Sequence, residues 1–268
     1  MPTMVFDALP PAAQAAVSHV VGRVAEFAPA PVGNHAEVAG TLDTEGGRVF
    51  IKGARPLPNE RGGGAEAWSL RNEAAVNPHV QPYAPALLGL VDTDGWLLTL
   101  WEHVEGRHAD YVPGSPDLDL VAEAVAGLGV LECPPVVKLR VKQRYTASGE
   151  DVSAMEGPAL LHCDLNPENV LITPDGRARL VDWAFTSRGA AWLEYAFLVP
   201  WLLRGGHTPA QADGWLSGFP VWKAADSDHV DQWSRLVANQ WARRDTGEVP
   251  WIAEYAGVTR QWANHRSA

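Results

Sequence analysis

Apolar residues recur along this chain at two spacings, and the switches between them mark out its elements. Val17, Val20, Val21, Val24 and Phe27 fall three or four positions apart behind Pro10 and Pro11, which predicts a helix over 10–28. Past Pro29 and Pro31 the spacing shortens to two. Segments 37–42 and 48–54 flank the turn Glu45-Gly46-Gly47 and read as a hairpin. Its second strand puts Val49 and Ile51 on one face, Phe50 and Lys52 on the other. The Pro- and Gly-rich stretch 55–64 then reads as a mobile loop, and a helix over 65–77 follows, ended by Pro78. A second hairpin joins 86–91 to 96–104 through Asp92-Thr93-Asp94-Gly95.

Beyond that hairpin the pattern is mainly helical. Leu118, Val121, Ala122, Val125 and Leu128 line one helix face, and Thr208-Pro209 and Ser227-Asp228 are helix-start signatures. Trp233, Leu236, Val237 and Trp241 form a further apolar stripe. Three short runs interrupt the helices: Leu160-Leu161, Val170-Leu171-Ile172 and 178–181, the last two joined by a turn at Thr173-Pro174-Asp175-Gly176. Eight of the 12 tryptophans lie beyond residue 190 and read as the packing of a C-terminal helical subdomain, with some ring faces available to a cation or a sugar.

Composition narrows the class. A chain of 268 residues suits one large domain or two lobes, and 46% apolar with 20% charged residues excludes disorder. Lys and Arg number 21 against 32 Asp and Glu, for a net charge of −11, which repels nucleic acid and anionic membranes and tolerates cationic partners. The longest apolar run, 196–203, is far too short to cross a bilayer, and the N-terminus lacks the pattern of an export signal. Cys133 and Cys163 have no metal-ligand spacing and are expected to stay thiols in a reducing, cytoplasmic setting.

The candidate chemistry lies where polar residues interrupt these strands. Leu160 to Ile172, followed by Leu180-Val181-Asp182-Trp183, places His162, Asp164, Asn169 and Asp182 at spacings suited to phosphoryl transfer. Asp164 can accept the proton of an attacking hydroxyl, while Asn169 and Asp182 offer hard oxygen ligands for Mg²⁺ beside a nucleotide triphosphate. Lys52, alone in an apolar strand, needs an anionic partner and, with that motif downstream, reads as a phosphate-binding cation. Glu66 and Glu73 share a helix face with Leu70 and Asn77, and either can reach it. Glu73 is preferred, because Glu66 sits in the first turn, where it complements the helix dipole.

The pattern His162-x-Asp164-x-x-x-x-Asn169 with Asp182 resembles the catalytic and metal-binding loops of the protein-kinase-like fold, and more narrowly the aminoglycoside phosphotransferase family of small-molecule kinases. The resemblance implies an α+β, bilobal fold, with an N-terminal antiparallel sheet lobe over 1–101, a hinge over 102–106 and a mainly helical lobe over 107–268. It also implies ATP and Mg²⁺, with the γ-phosphoryl group passing to a hydroxyl of a small molecule. Asp164 would be the base, Asn169 and Asp182 the metal ligands, and Lys52 with Glu73 would serve the α- and β-phosphates. By position, Gly33 to Gly40 matches a phosphate-covering loop, with Asn34 and His35 as donors, and the carbonyl of Glu102 and amide of Val104 would hold adenine. His162 would brace its loop, and Glu194, near where the family carries a structural Asp, reads as a helix-surface acid.

Departures from protein kinases sharpen the substrate. Cys163 and Asn166 stand where protein kinases carry Arg and Lys, Trp183-Ala184 follows Asp182, and no Ala-Pro-Glu comes after it. A phosphorylation switch is therefore not expected, and a small hydroxyl compound is favoured over a protein. An aminoglycoside or another amino sugar or amino alcohol is the implied acceptor, in resistance or in metabolism. Asp213, Asp226, Asp228, Asp231, Asp245 and Glu248 are acids open to a cationic one. The alternative is a non-catalytic kinase-fold protein that binds nucleotide or ligand, favoured by the incomplete glycine pattern at 33–40.

Overall fold

Strand alternation around Lys52 organises the first part of the molecule, which we describe from a computed structural model covering residues 4–30, 36–81 and 83–268. Strands β1 (Val24–Pro29), β2 (Val38–Thr44), β3 (Gly47–Ala54), β4 (Leu87–Thr93) and β5 (Trp96–Glu102) form one antiparallel sheet in the order β1-β2-β3-β5-β4. Val49 and Ile51 are buried, whereas Phe50 and Lys52 are half-buried. Helix α1 (Pro11–Val21) supplies Ala13 and Val17 to the cluster around Leu42, Ile51, Leu98 and Leu100. Ala67 and Leu70 of α2 (Gly64–Val76) form a separate cluster with Ala54 and Leu97. Each fully buried Leu or Ile contributes roughly 1.5–3 kcal/mol, so these clusters anchor the central strand carrying Lys52.

One expectation for this part is corrected. The helix predicted over 10–28 stops at Val21, because Gly22 takes φ 82° and Val24–Pro29 instead pairs with β2. A left-handed residue cannot continue an α-helix, and the β2 edge supplies the backbone partners the extra turns would have had. Val24 and Phe27, which extend the helical spacing in the sequence, reach the same core from the strand. The stretch 55–64 is a loop, as expected, that ends in a short 3₁₀ turn at Arg61–Gly63. Leu57 N donates to Gly63 O at 2.8 Å, Arg71 Nη1 donates to Gly62 O at 2.8 Å, and Gly62, Gly63 and Gly64 all have positive φ.

The chain divides into two compact units, Met1–Glu105 with Arg179–Phe185, and Gly106–Ala178 with Thr186–Ala268. In the second unit, β6 (Arg107–His108) pairs with β8 (Val170–Ile172), and β7 (Ala159–Leu161) pairs with β10 (Ser187–Gly189). Strand β9 (Ala178–Leu180) carries the chain across the boundary into the first unit. The rest is helical: α3 (Asp117–Leu128), α4 (Trp192–Arg204), α5 (Pro209–Leu216), α6 (Pro220–Lys223), α7 (Ser227–Arg244) and α8 (Pro250–Arg266). A sheet-bearing unit and a helix-rich one make the fold α+β.

Local chemistry fixes these helices. Thr208 and Gln211 form a reciprocal capping box at the start of α5. Helix α7 is capped by Asp226, one residue earlier than the Ser227-Asp228 signature suggested, its Oδ1 accepting from Asp228 N at 2.9 Å. Trp233 and Trp262 are fully buried with ring centroids 5.6 Å apart, joining α7 to α8. Arg266, in the last turn of α8, bonds Asp231 Oδ1 at 2.6 Å, Asp213 Oδ2 at 3.3 Å and Ser227 Oγ at 2.9 Å. No helix among the described residues is long and apolar enough to cross a membrane.

Candidate functional site

Lys52 is built into the first unit by three elements. Strand β3 presents its ammonium to Glu73 in the third turn of α2, with Nζ 3.1 Å from both carboxylate oxygens. Asp182 Oδ1 lies 3.5 Å away on the other side. Burial alone would push the Lys52 pKa down, but the charges of Glu73 and Asp182 outweigh it and hold the ammonium above its ordinary value. Glu66 occupies the first turn of α2.

Glu73 does more than neutralise Lys52. Its Oε1 also accepts the backbone N–H of Trp183 at 3.3 Å, which ties down the residue after Asp182. Asp182 has φ 61°, a left-handed backbone that costs an L residue about 1–2 kcal/mol. Segment 179–185 is held further by Leu180 N donating to Tyr83 O at 2.7 Å and by Arg179 Nη2 bonding Ala84 O at 2.7 Å and Glu102 Oε2 at 3.0 Å. Glu102 therefore has a side-chain role at the end of β5 besides the backbone role expected of it. Val104 is half-buried, and its amide and carbonyl bond no other described residue. Asn34 and His35, expected as phosphate donors, lie outside the described residues.

A second polar set is built on the loop after β7, in the second unit. Asp164 is half-buried, and its carboxylate is oriented by two amides. Asn166 Nδ2 donates to Oδ1 at 3.1 Å, and Asn169 Nδ2 donates to Oδ2 at 3.0 Å and to the Asp164 carbonyl at 3.0 Å. With its NH₂ so used, Asn169 keeps its side-chain oxygen as an acceptor, the donor type a hard cation takes. Asn166 Oδ1 also caps the turn Pro167–Asn169, accepting from Glu168 N at 2.9 Å and Asn169 N at 3.1 Å. Leu165, fully buried, has its carbonyl bonded by Tyr111 Oη at 3.0 Å.

Glu194 anchors the start of this loop, which corrects its expectation as a helix-surface acid. It is buried in α4, and its carboxylate accepts His162 N at 2.5 Å and Cys163 N at 3.1 Å. Cys163 has φ 67°, so the buried acid holds a strained residue beside Asp164, much as Glu73 holds the N–H that follows the strained Asp182. Burial pushes the Glu194 carboxyl up to about 7, against the two N–H groups that favour its charged form. His162 is fully buried, its Nδ1 accepting from Asp164 N at 3.3 Å. Burial pushes the Cys163 thiol up to about 12, which keeps it protonated and unsuited to nucleophilic work.

Glu194 had a sequence signal. It is the one acid in the apolar run 192–203, a place where a charge must find partners in the interior. Asn166 had one as well, since Asn before Pro is a helix-cap signature. Among the described residues, no group of three or more His, Cys, Asp or Glu side chains stands ready to hold a metal.

No family model and no curated protein sequence matches the chain. Solved structures do. An aminoglycoside phosphotransferase from Alicyclobacillus acidocaldarius matches with a TM-score of 0.66 at 14% identity, over 97% of this chain and 93% of that one. The chain has the fold of a small-molecule kinase. Aminoglycoside phosphotransferase APH(4)-Ia matches with a TM-score of 0.59 at 13% identity, over 92% and 97% of the two chains. Choline kinase LicA from Streptococcus pneumoniae matches with a TM-score of 0.59 at 15% identity, over 94% and 97%. The kinase-like α+β fold inferred from residues 160–183 thus extends over nearly the whole chain.

Proposed function

We propose that the protein is an ATP-dependent O-phosphotransferase acting on a hydroxyl of a small molecule. The observation that carries this is the loop around Asp164: a half-buried carboxylate, oriented by the side-chain amides of Asn166 and Asn169, on a loop braced through Glu194. Asp164 orients the acceptor hydroxyl and takes its proton as the bond to phosphorus forms. Lys52, kept protonated by Glu73 and Asp182, neutralises the α- and β-phosphates of the nucleotide. The amide oxygen of Asn169 in the second unit and the carboxylate of Asp182 in the first are each the kind of donor Mg²⁺ takes, and the ion would supply charge neutralisation at the triphosphate. The backbone groups of Val104 are free to receive a purine edge, and Glu102 is placed beside them in sequence.

Two of the neighbours support this reading. A mutant of APH(4)-Ia has been solved with ADP and hygromycin B, and LicA with AMP. For the acceptor, the net charge of −11 favours an amino sugar or amino alcohol. Several acids expected to greet a cation already have partners, however. Arg266 engages Asp213 and Asp231, and Asp226 caps α7. The faces of Trp201 and Trp241 are likewise covered by Arg204 and Arg244, at 5.1 and 4.9 Å from the ring centroids. We therefore place the acceptor no more finely than a small hydroxyl compound.

Asp164→Asn tests the assignment of the base. It should lower acceptor-dependent turnover by about 10²–10⁴-fold while leaving nucleotide affinity, measured by calorimetry, nearly unchanged. Wild-type turnover in that variant would overturn it.

A further inference from the structure

Away from both polar sets, the second unit has a cavity of about 330 Å³ whose lining includes Arg140, Lys142, Met155, Glu156, Pro158 and Arg188. Three cations converge there on a chain whose net charge is −11. The backbones of Arg140 and Arg188 form an isolated parallel bridge, with Arg188 N donating to Leu139 O at 2.9 Å, so the two residues sit side by side. Like charges so placed repel one another. Neither guanidinium has an ion-pair or hydrogen-bond partner among the described residues, whereas Lys142 is paired with Glu156. Both arginines also act on one buried neighbour: burial pushes the Cys133 thiol up, and the two guanidiniums oppose that shift.

We propose that this cavity binds the phosphate monoester of a small organic molecule. Such an ester carries a charge of about −1.5 to −2 at neutral pH, which matches the two unpaired guanidiniums. Their planar forks suit bidentate bonding to phosphate oxygens, and a bound dianion converts their mutual repulsion into attraction. The volume is at the lower end of small-molecule pockets and exceeds what a bare phosphate fills, while Met155 and Pro158 give a carbon skeleton an apolar wall. The site is also joined to the candidate catalytic loop. Arg188 in β10 pairs with Leu160 in β7, two residues before His162, and Arg144 Nη2 bonds Ser187 Oγ at 2.7 Å next to it.

Calorimetric titration of the full-length protein, without nucleotide or Mg²⁺, tests this with inorganic phosphate, glycerol 3-phosphate and glucose 6-phosphate as probes. At least one ester should bind more tightly than inorganic phosphate. The double variant R140A/R188A should weaken ester binding by at least about tenfold, since two charge-assisted contacts are lost. Both positions are exposed, and R188K, which keeps the charge but not the fork, provides a milder variant that should fall between the two. Equal ester affinity in wild type and R140A/R188A would overturn the site. Inorganic phosphate binding as tightly as both esters would overturn the ester assignment. Asp164→Asn protein should bind the esters as wild type does, so that loss of the proposed kinase activity and loss of this site are read separately.

Discussion

Glu73 and Glu194 perform the same physical task in different units. Each is a buried carboxylate that accepts backbone N–H groups next to a residue held at positive φ, and each neighbours a polar side chain of the proposed chemistry. Removing the charge of Glu73 leaves the buried ammonium of Lys52 with Asp182 alone. Glu73→Gln should therefore cost about 3 kcal/mol in urea denaturation, near the range for breaking a buried pair. For Glu194 the consequence lies in pH dependence. Its carboxyl has a folded pKa of about 7 against an ordinary 4.5, so the folded state holds the proton more tightly than the unfolded one. Stability from this group is greatest below pH 4.5, falls as pH rises toward about 7, and is level above that, by a total of order 3 kcal/mol. Glu194→Gln should flatten that fall in melting curves taken across the window, and an unchanged slope would contradict the assignment.

At the scale of elements, the C-terminal helices are joined by charge as well as by tryptophan. Arg266 sits between Asp213 and Asp231 with little solvent around it. Arg266→Ala would strand the half-buried carboxylate of Asp231 and leave Asp213 with Trp262 and His265, and should lower stability by about 1–3 kcal/mol, read as a drop in melting temperature. Elements whose pattern is local were legible in the sequence. The hairpin around Gly46 and Gly47, the helix carrying Glu73, and the Thr208 cap all follow from side-chain period and turn chemistry that act over a few residues. The course of residues 22–29 was not legible in that way. Val24 and Phe27 keep helical spacing by coincidence, and only the pairing of Val24–Pro29 with β2 makes that segment a strand. Glu194 was misread for the related reason that its partners, the amides of His162 and Cys163, lie about thirty positions away. The side-chain role of Glu102 was missed likewise, since its partner Arg179 is brought to it only by the fold.

For the whole molecule, fold and chemistry are supported by different observations. The likeness to small-molecule kinases over more than nine-tenths of the chain rests on structure at 13–15% identity, and it establishes architecture. The chemistry rests on which side chains the two units hold ready: a protonated lysine and a strained aspartate in one, an amide-oriented aspartate in the other. The most direct test measures ADP release with Mg²⁺-ATP against a panel of aminoglycosides and metabolic amino alcohols, with mass spectrometry of each compound. A small-molecule kinase gives acceptor-dependent ADP and a product heavier by one phosphoryl group, both lost in Asp164→Asn. Tight nucleotide binding with no compound phosphorylated across the panel would instead mark a kinase-fold protein that binds without catalysing.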